Sequence, residues 1–267
     1  MSALKFQLKK NLAQRLDLSP LTPSKLARMK LREIEALVIG TTRDALKVGD
    51  VFKVKAGDAS TIRFVGTDAT CDRIGQDMGE GEIVIEGDAG AYLGERMKGG
   101  SIALEGSAGF CAGAAMAGGI IEISKHVGER AGGVAIGETF GMRGGRLVVK
   151  GNAGPMLGER MRRGLIVVNG NAADYAGARA IAGTIMIARK VGRWAGYGLR
   201  RASLILAKEP EELLPTFADS GVLDFNYLRL LDTQLKAAGI RTKYGFRARR
   251  LMGDMAVLGK GEMLILA

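Results

Sequence analysis

The chain offers few side chains able to do nucleophilic, acid–base or metal chemistry, and their spacing argues against each use. His126 is the single histidine, and Cys71 and Cys111 are the two cysteines. That inventory supplies neither a zinc quartet nor a disulfide framework. His126 belongs to no motif that pairs a base with a nucleophile, so it reads as a residue at a structural corner. Cys71 and Cys111 follow Ile62 and Ile102 by nine residues each. In stacked repeats this predicts one position two layers apart, at about 9.6 Å, beyond disulfide reach. The triplet Gly-Glu-Arg contains Glu95 and Arg96, Glu129 and Arg130, and Glu159 and Arg160. Its recurrence predicts structural ion pairs at the repeat surface. Neither a catalytic residue nor a metal site is expected in this chain.

Binding chemistry is better represented. The formal charge of +11 is unevenly spread: residues 1–60 balance at +6, 61–145 at −5, 146–202 at +9 and 203–267 at +1. Such segments say more about partners than the total does. Arg160 and Arg179 crowd the +9 segment together with seven residues that form the candidate binding set: Arg162, Arg163, Arg189, Lys190, Arg193, Arg200 and Arg201. Guanidinium forks pair well with carboxylates, so the expected occupant is an acidic protein partner or a polyanionic small molecule, the alternative being a solvated face with no partner. No nucleic acid is expected, because the segment holds only Tyr175 and Trp194 as strong stacking residues, a weaker Tyr197, and no recognised binding motif.

Internal repetition sets the elements that must position these side chains. The anchors Ile62, Ile83, Ile102, Ile121, Leu147, Ile166, Ile185 and Leu204 are spaced by 21, 19, 19, 26, 19, 19 and 19 residues. Alternating apolar residues, such as Ile83 and Ile85 or Leu147 and Val149, predict a strand with one buried face at the head of each unit. Gly87, Gly106, Gly151 and Gly170 follow their anchors by four residues, and Gly94, Gly113, Gly158, Gly177 and Gly196 by eleven. Fixed glycines predict fixed corners, and their density excludes a helical repeat. Met97, Met116, Met142 and Met161 predict an inward ladder. Nineteen residues trace at most about 60 Å, one circuit of a narrow core, so one repeat is one rung.

The expected fold is all-β: a single-stranded parallel, right-handed β-helix of about seven rungs over residues 61–207. An N-terminal cap (1–60) and a C-terminal helical and strand cap (208–267) flank it. Handedness follows the general rule for parallel crossovers. Pro23–Glu35 is predicted helical and Asp50–Lys55 an edge strand. Helices are expected at Pro210–Phe217 and Asp224–Ala238, and Gly253–Leu266 is expected to be a closing strand pair. The 26-residue unit places seven extra residues in Gly132–Glu138, and insertions of this kind form loops on one face of a solenoid. Lys5, Lys9 and Lys10 precede no signal-like apolar run, and no apolar stretch reaches the roughly 18 residues of a membrane span. A soluble, cytoplasmic protein is expected.

The pattern Gly-x-Ala-Gly-x-x-x-Gly-x-x-Met-x-x-Gly, present from Gly87 to Gly100 and from Gly151 to Gly164, resembles the family of formylmethanofuran dehydrogenase C subunits. It is similar also to the glycine-repeat β-helix domain of the glutamate synthase large subunit. The likeness extends to Leu-Ser-Pro and Pro-Ser-Lys-Leu within residues 18–26 and to Gly-Lys-Gly-Glu at 259–262. An Arg- and Ala-rich composition looks more like the C subunits of the bacterial formyltransferase/hydrolase complexes. The resemblance implies a hetero-oligomer that moves a formyl group from tetrahydromethanopterin to a methanofuran-type carrier and releases formate during formaldehyde oxidation. It implies catalytic residues and zinc in the formyltransferase and hydrolase subunits, and none here. A glutamate-rich carrier tail then becomes one candidate occupant of the basic rungs. The alternatives are the C subunit of a molybdenum or tungsten formylmethanofuran dehydrogenase, and a stand-alone β-helix acyltransferase. The coils of the acyltransferase class repeat in multiples of six, which nineteen fits poorly.

Overall fold

The computed structural model describes residues 2–9, 14–43, 45–237 and 245–266. The N-terminal part contains strands β1 (Ala3–Leu8) and β2 (Leu16–Asp17) and the short helices α1 (Pro23–Leu26), α2 (Leu31–Glu35) and α3 (Val48–Val51). Strands β3 (Phe52–Lys55), β4 (Asp58–Thr67) and β5 (Cys71–Asp72) follow. One strand per repeat comes next: β6 (Glu82–Gly87), β7 (Ser101–Leu104), β8 (Ile120–Ile123), β9 (Arg143–Val149), β10 (Arg163–Val168), β11 (Thr184–Ile187) and β12 (Ser203–Leu206). The chain closes with β13 (Ala218–Asp224), α4 (Asn226–Ala237), β14 (Arg247–Gly253) and β15 (Gly261–Leu266).

A single 13-stranded sheet carries most of these elements, in the order β13-β14-β15-β12-β11-β10-β9-β8-β7-β6-β4-β1-β3. Pairing is parallel from β1 through β12 to β15, and antiparallel only where β3, β14 and β13 close the two ends. Every predicted anchor pairs with the next, from Ile62↔Ile83 to Ile185↔Leu204. A second line of parallel bridges joins Ala89, Ala108, Val127, Ala153, Ala172 and Val191. Elsewhere in each repeat the backbone bonds to the preceding repeat, as in Gly113 N–H to Leu93 O (2.7 Å) and Ala117 N–H to Met97 O (2.7 Å). Successive repeats are therefore hydrogen-bonded along several sides, which satisfies the backbone of a chain short of helix.

The interior is made of stacked like residues. The anchors are buried, and so are Met78, Met97, Met116, Met142 and Met161, each five residues before an anchor and all within one core cluster. Gly94 has φ +61°, and a Cβ there would run into Ile121 Cδ1 of a later repeat. Gly106 has no unusual φ, but a Cβ there would strike the Gly87 carbonyl of the repeat before. The two glycine columns thus answer different demands: one a left-handed turn over a tight core, the other close passage of two backbones. At the N-terminal end, Phe6 stacks on Phe64 at 5.1 Å, with Phe52 set edge-on to both, and closes the core. On the outer face of the later strands, Val148, Val167, Met186 and Ile205 are buried beneath Leu228 and Leu235 of α4 together with Ala248 and Leu264.

Several sequence expectations need correction. Pro23–Glu35 is two helices, because Lys30 is extended and Glu33 Oε2 accepts its amide at 2.7 Å to start a second helix. The strand in Asp50–Lys55 begins at Phe52, after the turn of α3. Pro210–Phe217 is not helical: Glu211 N–H bonds to Val191 O (3.2 Å) and Trp194 N–H to Glu212 O (3.3 Å), so this stretch continues the repeat pattern. Helix α4 starts at Asn226, and Ala238 lies outside the described residues. The closing hairpin pairs Arg247–Gly253 with Gly261–Leu266, so Gly253 ends its first strand. The three arginines of that strand hide its apolar alternation. The seven extra residues are 134–140, because Gly132 (φ +65°) keeps the corner position of Gly94 and packs toward Ile166. Cys71 and Cys111 do not share a position. Gly90 N–H bonds to Cys71 O (2.8 Å), whereas Cys111, with φ +58°, stands where Arg73 and Tyr92 stand. The two additional residues of the first repeat precede Cys71 and shift it.

Candidate binding cleft on the basic half

The first corner of each repeat is held by a ladder of side chains, each accepting the backbone N–H of the next repeat. Asp88 accepts from Ser107 (2.7 Å), Ser107 from His126 (3.3 Å), and His126 Nδ1 from Asn152 (3.0 Å). Asn152 accepts from Asn171 (2.9 Å) and Asn171 from Lys190 (3.1 Å). His126 therefore does the work of an asparagine, and the accepting Nδ1 assigns its proton to Nε2. The unit positions Asp88, Ser107, Asn152 and Asn171 carry one signal readable in advance: all are small acceptors five residues after an anchor.

The Gly-Glu-Arg triplets divide. Glu95 and Glu159 occupy the same repeat position and are buried, not superficial. Glu95 accepts from Gln76 (2.8 Å) and pairs with Arg73 (3.0 Å) and Arg96 (3.2 Å). Burial raises its carboxyl above the usual range, against the lowering influence of Arg96 and Arg73. Glu159 pairs with Arg179 (3.0 Å) and Arg130 (3.5 Å). Glu129 and Arg130 pair with each other (3.2 Å) at a different repeat position, since they follow their anchor four residues sooner than the other two pairs. Burial also pushes the Cys71 thiol up to about 11 and the Cys111 thiol up to about 12, which favours the thiol over the thiolate in both near neutral pH.

The seven candidate cations do not converge. Lys190 ends the acceptor ladder. Arg193 pairs with Asp174 (3.2 Å) and lies 4.8 Å from the Trp194 ring, which in turn packs at 5.0 Å on Tyr175. Arg162 and Arg200 share another repeat position, where their amides bond to Met142 O and Ala180 O. Arg162 stacks over Phe140 at 4.9 Å. Arg163 opens β10, Arg201 is exposed beside Arg200, and Arg189 is exposed beside Lys190. A cleft of about 530 Å³ opens beside Arg200. It takes Arg200 from the predicted set and adds Arg160 and Arg179, with Thr139 and Phe140 of the inserted segment, Tyr197, and Asp254, Ala256 and Val257 of the β14–β15 turn. Asp254 is buried. Burial disfavours its charged form, but the nearby Thr216 hydroxyl and the amides of Ala256 (2.8 Å) and Gly198 (3.0 Å) outweigh that and hold its carboxyl below the usual range. Among the described residues, no group of three or more His, Cys, Asp or Glu side chains is placed to hold a metal, and no helix is long and apolar enough to cross a membrane.

Stacked glycine-cornered repeats are the distinguishing feature of this molecule, and the GXGXG-motif family matches residues 38–232. The chain belongs to the GXGXG family. A chain in the crystal structure of the formyltransferase/hydrolase complex FhcABCD from Methylorubrum extorquens, in complex with methylofuran, is 39% identical. It superposes with a TM-score of 0.91 over 98% of this GXGXG chain and 99% of its own length. The C subunit of the Methylorubrum extorquens complex is 41% identical over 93 residues, 35% of this chain and 34% of the relative. The C subunit of the tungsten-containing formylmethanofuran dehydrogenase 2 of Methanococcus maripaludis is 31% identical over 95 residues, 35% of either chain. These aligned stretches span about a third of the curated relatives.

Proposed function

We propose that this chain is the C-subunit scaffold of a formyltransferase/hydrolase complex, itself non-catalytic, acting on formyl groups carried by tetrahydromethanopterin and a methanofuran-type carrier. The carrying observation is the full-length likeness: 39% identity over 98% of this chain to a chain of a complex crystallised with methylofuran. The zinc and the catalytic side chains belong, on this reading, to the hydrolase and formyltransferase partners, and the assembly is cytoplasmic. The architecture is a right-handed parallel β-helix of about seven rungs over residues 61–207, between caps at 1–60 and 208–267. Parallel pairing of every anchor and the second line of bridges support it. The glycines at 87, 94, 106, 113, 151, 158, 170, 177 and 196 act only as its corners.

The basic rungs receive negative charge, either a glutamate-rich carrier tail or an acidic neighbouring subunit, through Arg162, Arg163, Arg189, Lys190, Arg193, Arg200 and Arg201. Purification from the native organism, with every partner identified by mass, tests the assignment. Hydrolase and formyltransferase subunits are expected; a molybdenum- or tungsten-pterin subunit would move the chain to the dehydrogenase complexes. Formyl transfer or hydrolysis by the isolated chain would refute the scaffold role. Replacing Arg162, Arg163, Arg200 and Arg201 with Glu, and measuring carrier retention and co-purification separately, tests the basic set; no change in either quantity sinks it.

A further inference from the structure

We propose that the cleft between the inserted segment and the β14–β15 turn is a docking groove for a segment of a neighbouring subunit that alternates acidic and apolar side chains. Its two walls are the places where the chain departs from its repeat. One is the segment 134–140, whose Phe140 is fixed by Arg162 stacked at 4.9 Å. The other is the turn after β14, tied down by Gly198 N–H donating to Asp254 (3.0 Å) and Asp254 N–H to Leu199 O (3.1 Å). The regular repeats form the floor. The groove is thus held open before anything enters it, which lowers the cost of binding.

Charge and polarity define the occupant. Arg179 is oriented by buried Glu159 (3.0 Å). Among the described residues, no acidic side chain lies within ion-pairing distance of Arg160 or Arg200. The carboxylate of Asp254 accepts the amides of Gly198 and Ala256 and forms no ion pair, so two lining guanidiniums stand without an ion-pair partner and cations outnumber the one lining carboxylate. Carboxylates complement them. Beside Thr139 and the small Gly198 and Ala256, the remaining lining is apolar or aromatic: Phe140, Ile181, Tyr197 and Val257. Ile136 of the inserted segment is 77% exposed, and Met255 and Leu258 of the turn are 52% and 53% exposed. Exposed apolar residues grouped with arginine and aromatics mark protein interfaces. A purely anionic carrier tail uses the arginines and leaves the apolar walls uncovered, whereas an acidic and apolar peptide uses both.

This inference rests on the reading of the chain as a subunit of a hetero-oligomer. The test uses the co-expressed complex with a photo-crosslinking phenylalanine analogue placed at Tyr197 or Ala256, followed by mass identification of the attached species. Expected is a peptide of a partner subunit bearing at least two Asp or Glu among apolar residues. Arg160→Glu combined with Arg200→Glu should cut that crosslink at least tenfold while leaving thermal unfolding of the chain unchanged; Lys150→Glu, an exposed cation away from the cleft, should leave it intact. Attachment of a carrier molecule, of a partner segment without acidic residues, or of nothing while the complex stays assembled overturns the docking groove and leaves the subunit assignment standing. Failure of the chain to co-purify with any partner defeats the underlying assignment instead.

Discussion

At the scale of single residues, identical positions in successive repeats are solved by different side chains that share one hydrogen-bonding capacity. His126 is the clearest instance, standing between Ser107 and Asn152 in a ladder of acceptors. Replacing it with Ala removes the acceptor for the Asn152 amide and should cost about 0.5–1.5 kcal/mol in urea unfolding, whereas Asn should restore most of it. Equal losses for both would mean that the imidazole serves something other than the ladder. Glycine positions separate just as sharply. Gly94→Ala combines φ +61° with a collision on Ile121 and should cost at least about 2 kcal/mol. Gly79 has open space around its Cβ direction, so Gly79→Ala should stay within about 0.5 kcal/mol. The pair, measured in one unfolding series, tests whether position in the repeat or glycine content alone governs stability.

Elements are where reading by period succeeds or fails. The strands β6 to β12 were legible because each repeats an apolar alternation at a constant distance from fixed glycines, and the structure pairs those very anchors. Residues outside the period were not. Pro210–Phe217 looks helical by composition, yet its Glu211 amide and Glu212 carbonyl bond to Val191 and Trp194 of the last repeat. Three arginines in Arg247–Gly253 obscure a strand whose Ala248 and Leu251 are buried. The cleft stayed hidden for the same reason: it needs the inserted segment and the hairpin turn, which no spacing relates, and so Arg160 and Arg179 join Arg200 while the other predicted cations lie elsewhere. Asp254 is the residue that fastens the turn. Its carboxyl is held below the usual range, so its stabilisation is complete above the ordinary carboxylate value near 3.8 and is lost as pH falls through the lower folded value. Asp254→Asn keeps one acceptor of two and should cost about 1–3 kcal/mol at neutral pH. The difference from the unaltered protein should shrink toward zero in acid below the folded value; a difference constant with pH would mean that its charge does not matter.

For the whole molecule, the decisive problem is that stacked parallel strands leave two open edges, each a template for another chain. Both ends are closed by strands brought from outside the repeat series. β1 adds in parallel to β4 and is covered by β3, with the Phe6, Phe52 and Phe64 cluster filling the core beneath. At the other end β15 adds in parallel to β12 and is covered by β14 and β13, while α4 seals the outer apolar row. Because each repeat contacts chiefly its neighbours, an end cap protects the stack without specifying it. Ending the chain at residue 246 removes β14 and β15, bares the edge of Ser203–Leu206 and strips Ala248 and Leu264 from the apolar cluster around Ile205, leaving α4 in place. The shortened protein should retain a β-type circular dichroism spectrum and yet associate in a concentration-dependent way, detectable by light scattering. Placing a charge at the bared edge, with Ser203→Lys in the same shortened chain, where the Ser203 hydroxyl otherwise meets Glu262 of β15, should reverse much of that association. A monodisperse shortened chain would mean that this end is closed by something other than the hairpin. A shortened chain without β structure would mean that the cap is required for the repeats to stack at all.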